Sequence, residues 1–134
     1  MDATPVVAVI NSTDDIVDML RTALERAGIT AVSALTVELR EGRVDLERFI
    51  TQHQPRVILY DIAPPYDANW RLFQHLAQMP VMQGRQFVIT STNPRHVESL
   101  SAPQHHVYEI VGKAEDLGQI VQAVREALKA RPSR

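Results

Sequence analysis

The sequence predicts a single α/β domain built on a parallel β-sheet. Two kinds of segment alternate along its 134 residues: short runs rich in β-branched residues, and longer segments with apolar residues at helical spacing. The short runs are apolar along most of their length, as expected of strands that are buried on both faces. Regular alternation of such strands with helices is typical of a parallel sheet covered by helices on both sides.

Five strands and five helices are predicted. The strands are VVAVI (6–10), ITAVSAL (29–35), RVILY (56–60), QFVIT (86–90) and VYEIV (107–111). The helices lie in 14–28, 45–54, 70–78, 94–100 and 116–128. The polar stretch TVELREGR (36–43) is predicted to be an irregular connection, and residues 129–134 are expected to be a frayed tail.

Helix boundaries have local signals. In the first helix the apolar residues fall at i, i+3, i+4, i+7, i+8 and i+11, and Gly28 follows where a C-terminal glycine belongs. Ser12, followed three residues later by Asp15, resembles a capping box. Asn93 and Pro94 are predicted to start a helix as the cap and the first helical residue. Trp70 and Phe73, spaced i and i+3, are predicted to pack in the core.

Composition excludes several classes of protein. The net charge is −2, from 14 basic and 16 acidic residues, without the basic patch of a nucleic-acid or membrane surface. With no cysteine, the chain has neither disulfides nor thiolate chemistry. The first residues lack a secretory pattern, and no segment has the ~20 apolar residues of a membrane span. We expect a cytoplasmic protein with one domain spanning 1–134.

Polar residues at the ends of the predicted strands form the candidate site. Asp61 follows the third strand, the hydroxyl residues Thr90, Ser91 and Thr92 end or follow the fourth, and Lys113 follows the fifth. In parallel α/β folds the ligand site lies beyond the carboxyl ends of the strands, where the strand order reverses. A carboxylate can act as a nucleophile that holds a phosphoryl group, while a lysine and a hydroxyl neutralise the charge on its oxygens.

These residues, together with Pro65 and the closing stretch KAEDLGQIVQAV, resemble the receiver domain of two-component response regulators over essentially the whole chain. The resemblance implies a flavodoxin-like (βα)5 fold with Asp61 as the phosphoacceptor or its vestige. It implies that Lys113 and either Thr90 or Ser91 contact the phosphoryl oxygens, and the sequence leaves the choice between the two hydroxyls open.

The resemblance also implies a Mg²⁺ site, which is weakened here. Receivers place two acidic residues after the first strand, and these positions are Asn11 and Ser12. The cation ligands expected from the family pattern are therefore Asp61, the backbone carbonyl of Ala63, Asn11 and Ser12, with Asp14 as a weaker candidate. Asp14 and Asp15 are also explained as acids that complement the dipole of the first helix.

The expected function is a non-enzymatic receiver domain in a two-component phosphorelay, with output by protein–protein contact. Its expected partners are a histidine kinase or phosphotransfer protein and a downstream protein, without direct binding to nucleic acid or membrane; homodimerisation is left open. A phosphorylation-independent docking module is the alternative. A small-ligand-binding flavodoxin-like module is less favoured, because no glycine-rich phosphate loop is present. A hydrolase is disfavoured because no G-x-S-x-G motif is present.

Overall fold

The structure, a computed structural model, describes residues 6–101, 107–112 and 117–129. Its strands are β1 (Val6–Asn11), β2 (Thr30–Leu35), β3 (Val57–Ile62), β4 (Gln86–Ser91) and β5 (Val107–Gly112). Its helices are α1 (Asp14–Arg26), α2 (Thr36–Arg40), α3 (Leu46–His53), α4 (Tyr66–Ala77), α5 (Pro94–Ser101) and α6 (Leu117–Lys129), with a 3-10 turn at Pro80–Met82.

The strands form one parallel sheet in the order β2-β1-β3-β4-β5. The chain first moves outward from β1 to β2 and then returns to add β3 on the other side of β1. The strand order therefore reverses between β1 and β3, and the crevice at that point is where open α/β sheets bind ligands. The predicted α/β fold with a parallel sheet is confirmed.

Helices cover both faces of the sheet, and each face has its own hydrophobic core. Alternate residues of each central strand point to opposite faces. Val7 and Val9 of β1 pack with α1 and α6, whereas Ala8 and Ile10 pack with α3 and α4. Trp70 and Phe73 both lie in the second core, as predicted. This burial on both faces explains why the strand sequences are continuously apolar.

Helix α1 agrees with its prediction except at its start. Gly28 has φ +82, a conformation that glycine adopts without steric cost, just after the C-cap residue Ala27. The predicted capping box between Ser12 and Asp15 is wrong: the N-cap is Thr13, and its side chain makes no capping bond. The reason is that Asn11 Oδ1 accepts hydrogen bonds from the backbone amides of Ser12 and Thr13, at 2.7 and 3.4 Å.

The predicted irregular connection at 36–43 is also wrong, because Thr36–Arg40 form the short helix α2. Five residues are too few for a helix that is stable by itself, so this turn depends on contacts outside its own backbone. Glu38 Oε1 accepts from the amide of Leu35 at 2.8 Å, and Thr36 is buried. The periodic spacing of apolar residues, which predicts the longer helices, indicates neither of these contacts.

Three further boundaries differ in ways that affect the site. Strand β3 continues to Ile62 and β4 to Ser91, so Asp61 and Ser91 lie inside strands and not after them, and Thr90 lies inside β4 as predicted. Helix α4 begins at Tyr66, four residues before its predicted start. Among the described helices, none is long and apolar enough to cross a bilayer.

Candidate functional site at the carboxyl end of the sheet

Asp61 is a buried carboxylate near the carboxyl end of the central strand β3. Its side chain is 4% exposed, and Thr90 Oγ1 donates a hydrogen bond to Asp61 Oδ1 at 2.8 Å. The contact follows from the register, because Asp61 is paired with Thr90 across the neighbouring parallel strands. A hydrogen bond to a charged group in a buried position is a strong one, and it fixes the carboxylate.

The two candidate hydroxyls have different surroundings. Thr90 contacts Asp61, whereas Ser91 Oγ accepts from the backbone amide of Asn93 at 3.1 Å. Adjacent residues of a strand point to opposite faces, so only one of the two is placed beside the carboxylate. Of the pair left open by the sequence, the structure brings Thr90 to Asp61 and uses Ser91 to form the turn into α5.

Asn11, the last residue of β1, forms the turn into α1 together with the residues that follow it. Asn11 is 1% exposed and its Oδ1 accepts the two amides described above, whereas Ser12, Asp14 and Asp15 are exposed. The amide oxygen of Asn11 is therefore already used as an acceptor by its own loop.

The carbonyl of Ala63 is likewise engaged. Asn69 Nδ2 donates to it at 2.7 Å, and Arg40 Nη2 donates to Asn69 Oδ1 at 3.0 Å. These bonds connect α2, the β3–α4 loop and α4. Sequence reasoning did not identify Arg40 and Asn69, and no local signal could have done so, because 29 residues separate them.

The Mg²⁺ ligands that the resemblance implies are oxygen atoms at the carboxyl ends of β1 and β3. Mg²⁺ is usually held by one or two carboxylates with further oxygen ligands in octahedral geometry. Within the described part of the chain, no group of three or more His, Asp or Glu side chains comes together. Asn11 Oδ1 and the Ala63 carbonyl also accept hydrogen bonds from protein donors, and Asp61 is the buried carboxylate among the described residues.

The phenol of Tyr60, the residue before Asp61 on β3, is buried. Burial raises the pKa of Tyr60 above its ordinary value of 10.0. The positive charge of Arg40 opposes that rise in pKa, and the negative charge of Asp61 adds to it.

A second cluster joins the start of α4 to the β4–α5 turn. Tyr66 Oη and Thr92 Oγ1 lie 2.6 Å apart, and His96 Nε2 lies 2.8 Å from Asp67 Oδ1. The rings of Tyr66 and His96 are also in contact, with centroids 5.6 Å apart. The residues of each hydrogen-bonded pair lie 26 and 29 positions apart in the sequence, so no local pattern indicates these contacts. Asn93 Oδ1 accepts from the amide of His96 at 3.3 Å, which confirms the predicted cap.

Lys113 lies outside the described residues, so its expected place beside Asp61 stays a prediction.

A cleft of about 540 Å³ opens beside Asp61 on the side of α2 and α4. Its apolar wall includes Val37, Pro64, Pro65 and Leu72. Its polar residues are Ser12, Thr36, Arg40, Tyr60, Asp61 and Asn69. Pro64 and Pro65 are joined by a cis peptide bond.

Comparison with known proteins relates this fold to one class of solved structures. No family model matches the chain, and no curated protein matches it in sequence. A response regulator from Thermotoga maritima superposes with a TM-score of 0.72 at 13% identity, over 96% of this chain and 100% of that one. A response regulator receiver protein from Pseudomonas putida gives 0.72 at 19% identity, over 94% and 99%.

A third similar chain comes from the complex of the histidine kinase ThkA with the response regulator protein TrrA. It superposes with a TM-score of 0.70 at 13% identity, over 94% of this chain and 100% of that one. The chain therefore has the fold of response regulator receiver domains, as the resemblance predicted.

Proposed function

We propose that this chain is an atypical receiver domain in two-component signalling, with Asp61 at the phosphoacceptor position and output through protein–protein contact. The observation that carries the proposal is the buried Asp61 on the central strand, bonded to Thr90 at the carboxyl edge of a receiver-type sheet. The proposal treats residues 1–134 as one cytoplasmic domain without an enzymatic activity of its own.

The chemistry of the phosphorylated form uses residues of the chain itself. An Asp61 oxygen would attack phosphorus in a phosphohistidine, the P–N bond would break, and the acyl phosphate would hold the group. Such transfer requires neutralisation of charge on the phosphoryl oxygens. The Thr90 hydroxyl, already 2.8 Å from the carboxylate, would rotate to donate to one of them. Lys113 is proposed as the cation.

Two kinds of partner belong to the proposal. A histidine kinase or phosphotransfer protein would donate the phosphoryl group, and the solved complex of a kinase with a similar receiver chain supports that pairing. A downstream protein would recognise the surface formed by α5, β5 and α6. The cluster of Tyr66, Asp67, Thr92 and His96 connects the Asp61 edge to α5 and would transmit a change at that edge.

A phosphorylation-independent docking module is the second candidate, and the cation ligands favour it. Asn11 and Ser12 replace the acidic pair, and Asn11 Oδ1 is held by its own loop. A receiver that holds the divalent cation weakly loses charge neutralisation during transfer, and its autophosphorylation becomes slow. In this form the domain would bind its partner in the state that the structure shows.

Intact mass after incubation with acetyl phosphate and Mg²⁺ distinguishes the two forms. The phosphorylated form predicts one added phosphoryl group on the parent and none on Asp61→Asn, which removes the nucleophile but keeps the size of the side chain. Asp67→Asn is the matched control, since it changes an exposed aspartate of α4 and should leave the added mass unchanged.

A well-characterised receiver labelled in parallel shows that the reagent is active. If that receiver is labelled and this chain is not, the docking form is supported and the phosphoacceptor role of Asp61 is rejected. A phosphoryl group on both the parent and Asp61→Asn would place the modification elsewhere and contradict the role of Asp61 directly.

A further inference from the structure

We propose that the cleft beside Asp61 binds a small organic anion: a carboxylate or similar oxyanion attached to a flat apolar body. Binding does not require phosphorylation of Asp61, so the proposal is separate from the phosphorelay function. The cleft is bounded by α2, the end of β3 and the first turns of α4, and its volume of about 540 Å³ is in the range of small-molecule sites.

Thr36, a residue of the cleft wall, has a buried hydroxyl without a described protein partner. Thr36 lines the cleft, is 8% exposed, and its Oγ1 has no hydrogen-bond partner among the described residues. Buried polar atoms are almost always hydrogen-bonded, because an unmet bond is costly. Rotation of the Thr36 side chain about χ1 would turn this hydroxyl toward the cleft, where a ligand oxygen would accept its hydrogen bond.

Arg40 supplies the charge. It lies on α2 four residues after Thr36, so the two side chains share one face of the helix. Its one described bond, to Asn69, uses one of five N–H donors and holds the guanidinium at the cleft. The planar donor fork of arginine matches the geometry of a carboxylate.

The apolar part of the cleft wall determines which kind of uncharged ligand body fits there. Pro64, Pro65 and Leu72 form an apolar surface suited to a flat ring. Asp61 lines the cleft as well and would repel an anion. The charged head is therefore assigned to the Arg40 end, and the body of the ligand separates it from the carboxylate.

The test uses benzoate as the probe and benzamide, its neutral isostere, as the matched control. Binding is measured on the full chain by chemical-shift titration of the backbone amides, without acetyl phosphate. We expect benzoate to shift amides of α2 and of the β3–α4 loop in a saturable way, and benzamide to bind more weakly. Equal binding of both probes, or shifts located elsewhere, would overturn the proposal.

Three variants test the charges independently of folding. Arg40→Gln should raise the benzoate Kd about tenfold, since a hydrogen bond to a charged group is lost. Arg71→Gln, at an exposed position of α4 outside the cleft lining, should leave the Kd unchanged. Asp61→Asn should lower the Kd, because it removes the opposing charge.

A lower benzoate Kd for Arg40→Gln, or a higher one for Asp61→Asn, would exclude an anion site. Thr36→Val keeps the shape of the side chain and removes its hydroxyl, so it should weaken benzoate binding without loss of the folded spectrum. If Thr36→Val binds benzoate as the parent does, the assignment of the hydroxyl is wrong.

Discussion

At the scale of single residues, the hydrogen bond between Thr90 and Asp61 is the contact on which the site depends. A buried carboxylate that loses a donor keeps the cost of its desolvation without the compensating bond. The bond is made by side chains from two strands, and its length of 2.8 Å is set by the register of β3 against β4.

Thr90→Val should therefore lower the free energy of unfolding by about 1.5–3 kcal/mol at neutral pH, the range for hydrogen bonds to charged groups. Urea unfolding followed by circular dichroism measures the change. Thr30→Val is the matched control: it makes the same substitution at an exposed strand position, where a change within about 0.5 kcal/mol is expected. Equal effects at both positions would show that the bond contributes no net stability.

A second prediction for a single residue concerns Tyr60 and alkaline pH. Burial raises the pKa of Tyr60 above 10.0, so between the unfolded and folded pKa values the native state binds more protons than the unfolded state. The stabilisation is fully present below about pH 10 and is lost as the pH rises further. Ultraviolet titration should show Tyr60 ionising only as the chain unfolds.

Tyr60→Phe removes the ionising group and serves as the control for this titration. Stability of the variant should fall less steeply between about pH 10 and 12, since the buried phenol is the source of that part of the slope. A parent whose tyrosines all ionise together near their ordinary pKa, while it remains folded, would contradict the interpretation.

At the scale of secondary-structure elements, replacement of two glycines by alanine is expected to change the free energy of unfolding in opposite directions. Gly28 ends α1 with φ +82, whereas Gly118 is an exposed residue within helix α6. A Cβ atom added at Gly28 would meet no atom within 4 Å, so the cost of alanine there is conformational and not steric. Alanine at Gly118 instead gains helix propensity.

Gly28→Ala should lower the free energy of unfolding by about 1 kcal/mol, because alanine adopts the left-handed conformation with difficulty. Gly118→Ala should raise it by about 0.4–1 kcal/mol. The two variants have the same change in composition, and thermal unfolding compares them directly. Shifts of the same sign would contradict the assignment of these conformations.

Elements with strong periodic patterns were predictable from sequence, and α2 was not. The apolar spacing in α1 identifies a helix without any tertiary information. Thr36–Arg40 is too short to carry such a pattern, and the Arg40 to Asn69 bond that ties it to α4 spans 29 residues. For the same reason the contact of Asp67 with His96 was missed.

At the scale of the whole molecule, the two hydrophobic cores share the central strands. Leu24 belongs to the core under α1 and α6, and Ile50 to the core under α3 and α4; both are fully buried. Because β1, β3 and β4 contribute alternate residues to both cores, disruption of one face loosens the strands that form the other. The domain should therefore unfold as one cooperative unit.

Leu24→Ala and Ile50→Ala should each cost about 2–5 kcal/mol and leave a single transition with an unchanged dependence on urea. Two probes test this expectation: Trp70 fluorescence, which reports the second core, and far-ultraviolet circular dichroism, which reports the whole chain. Leu24 lies on the opposite face of the sheet from Trp70. The comparison of the fluorescence and circular dichroism curves is therefore most informative for Leu24→Ala. Separate midpoints would contradict shared cooperativity.

The sequence by itself determined the α/β class, the main helices and strands and the placement of Asp61 at the carboxyl end of a central strand, because these follow from local periodicity and strand polarity. Only the tertiary structure decided that Thr90 and not Ser91 contacts Asp61, that Asn11 closes its own loop, and that Arg40 and Thr36 line a cleft beside the carboxylate. Each of these depends on register or on contacts between distant segments. Local sequence patterns carry no record of such contacts, because the energy that forms them arises only when the segments pack.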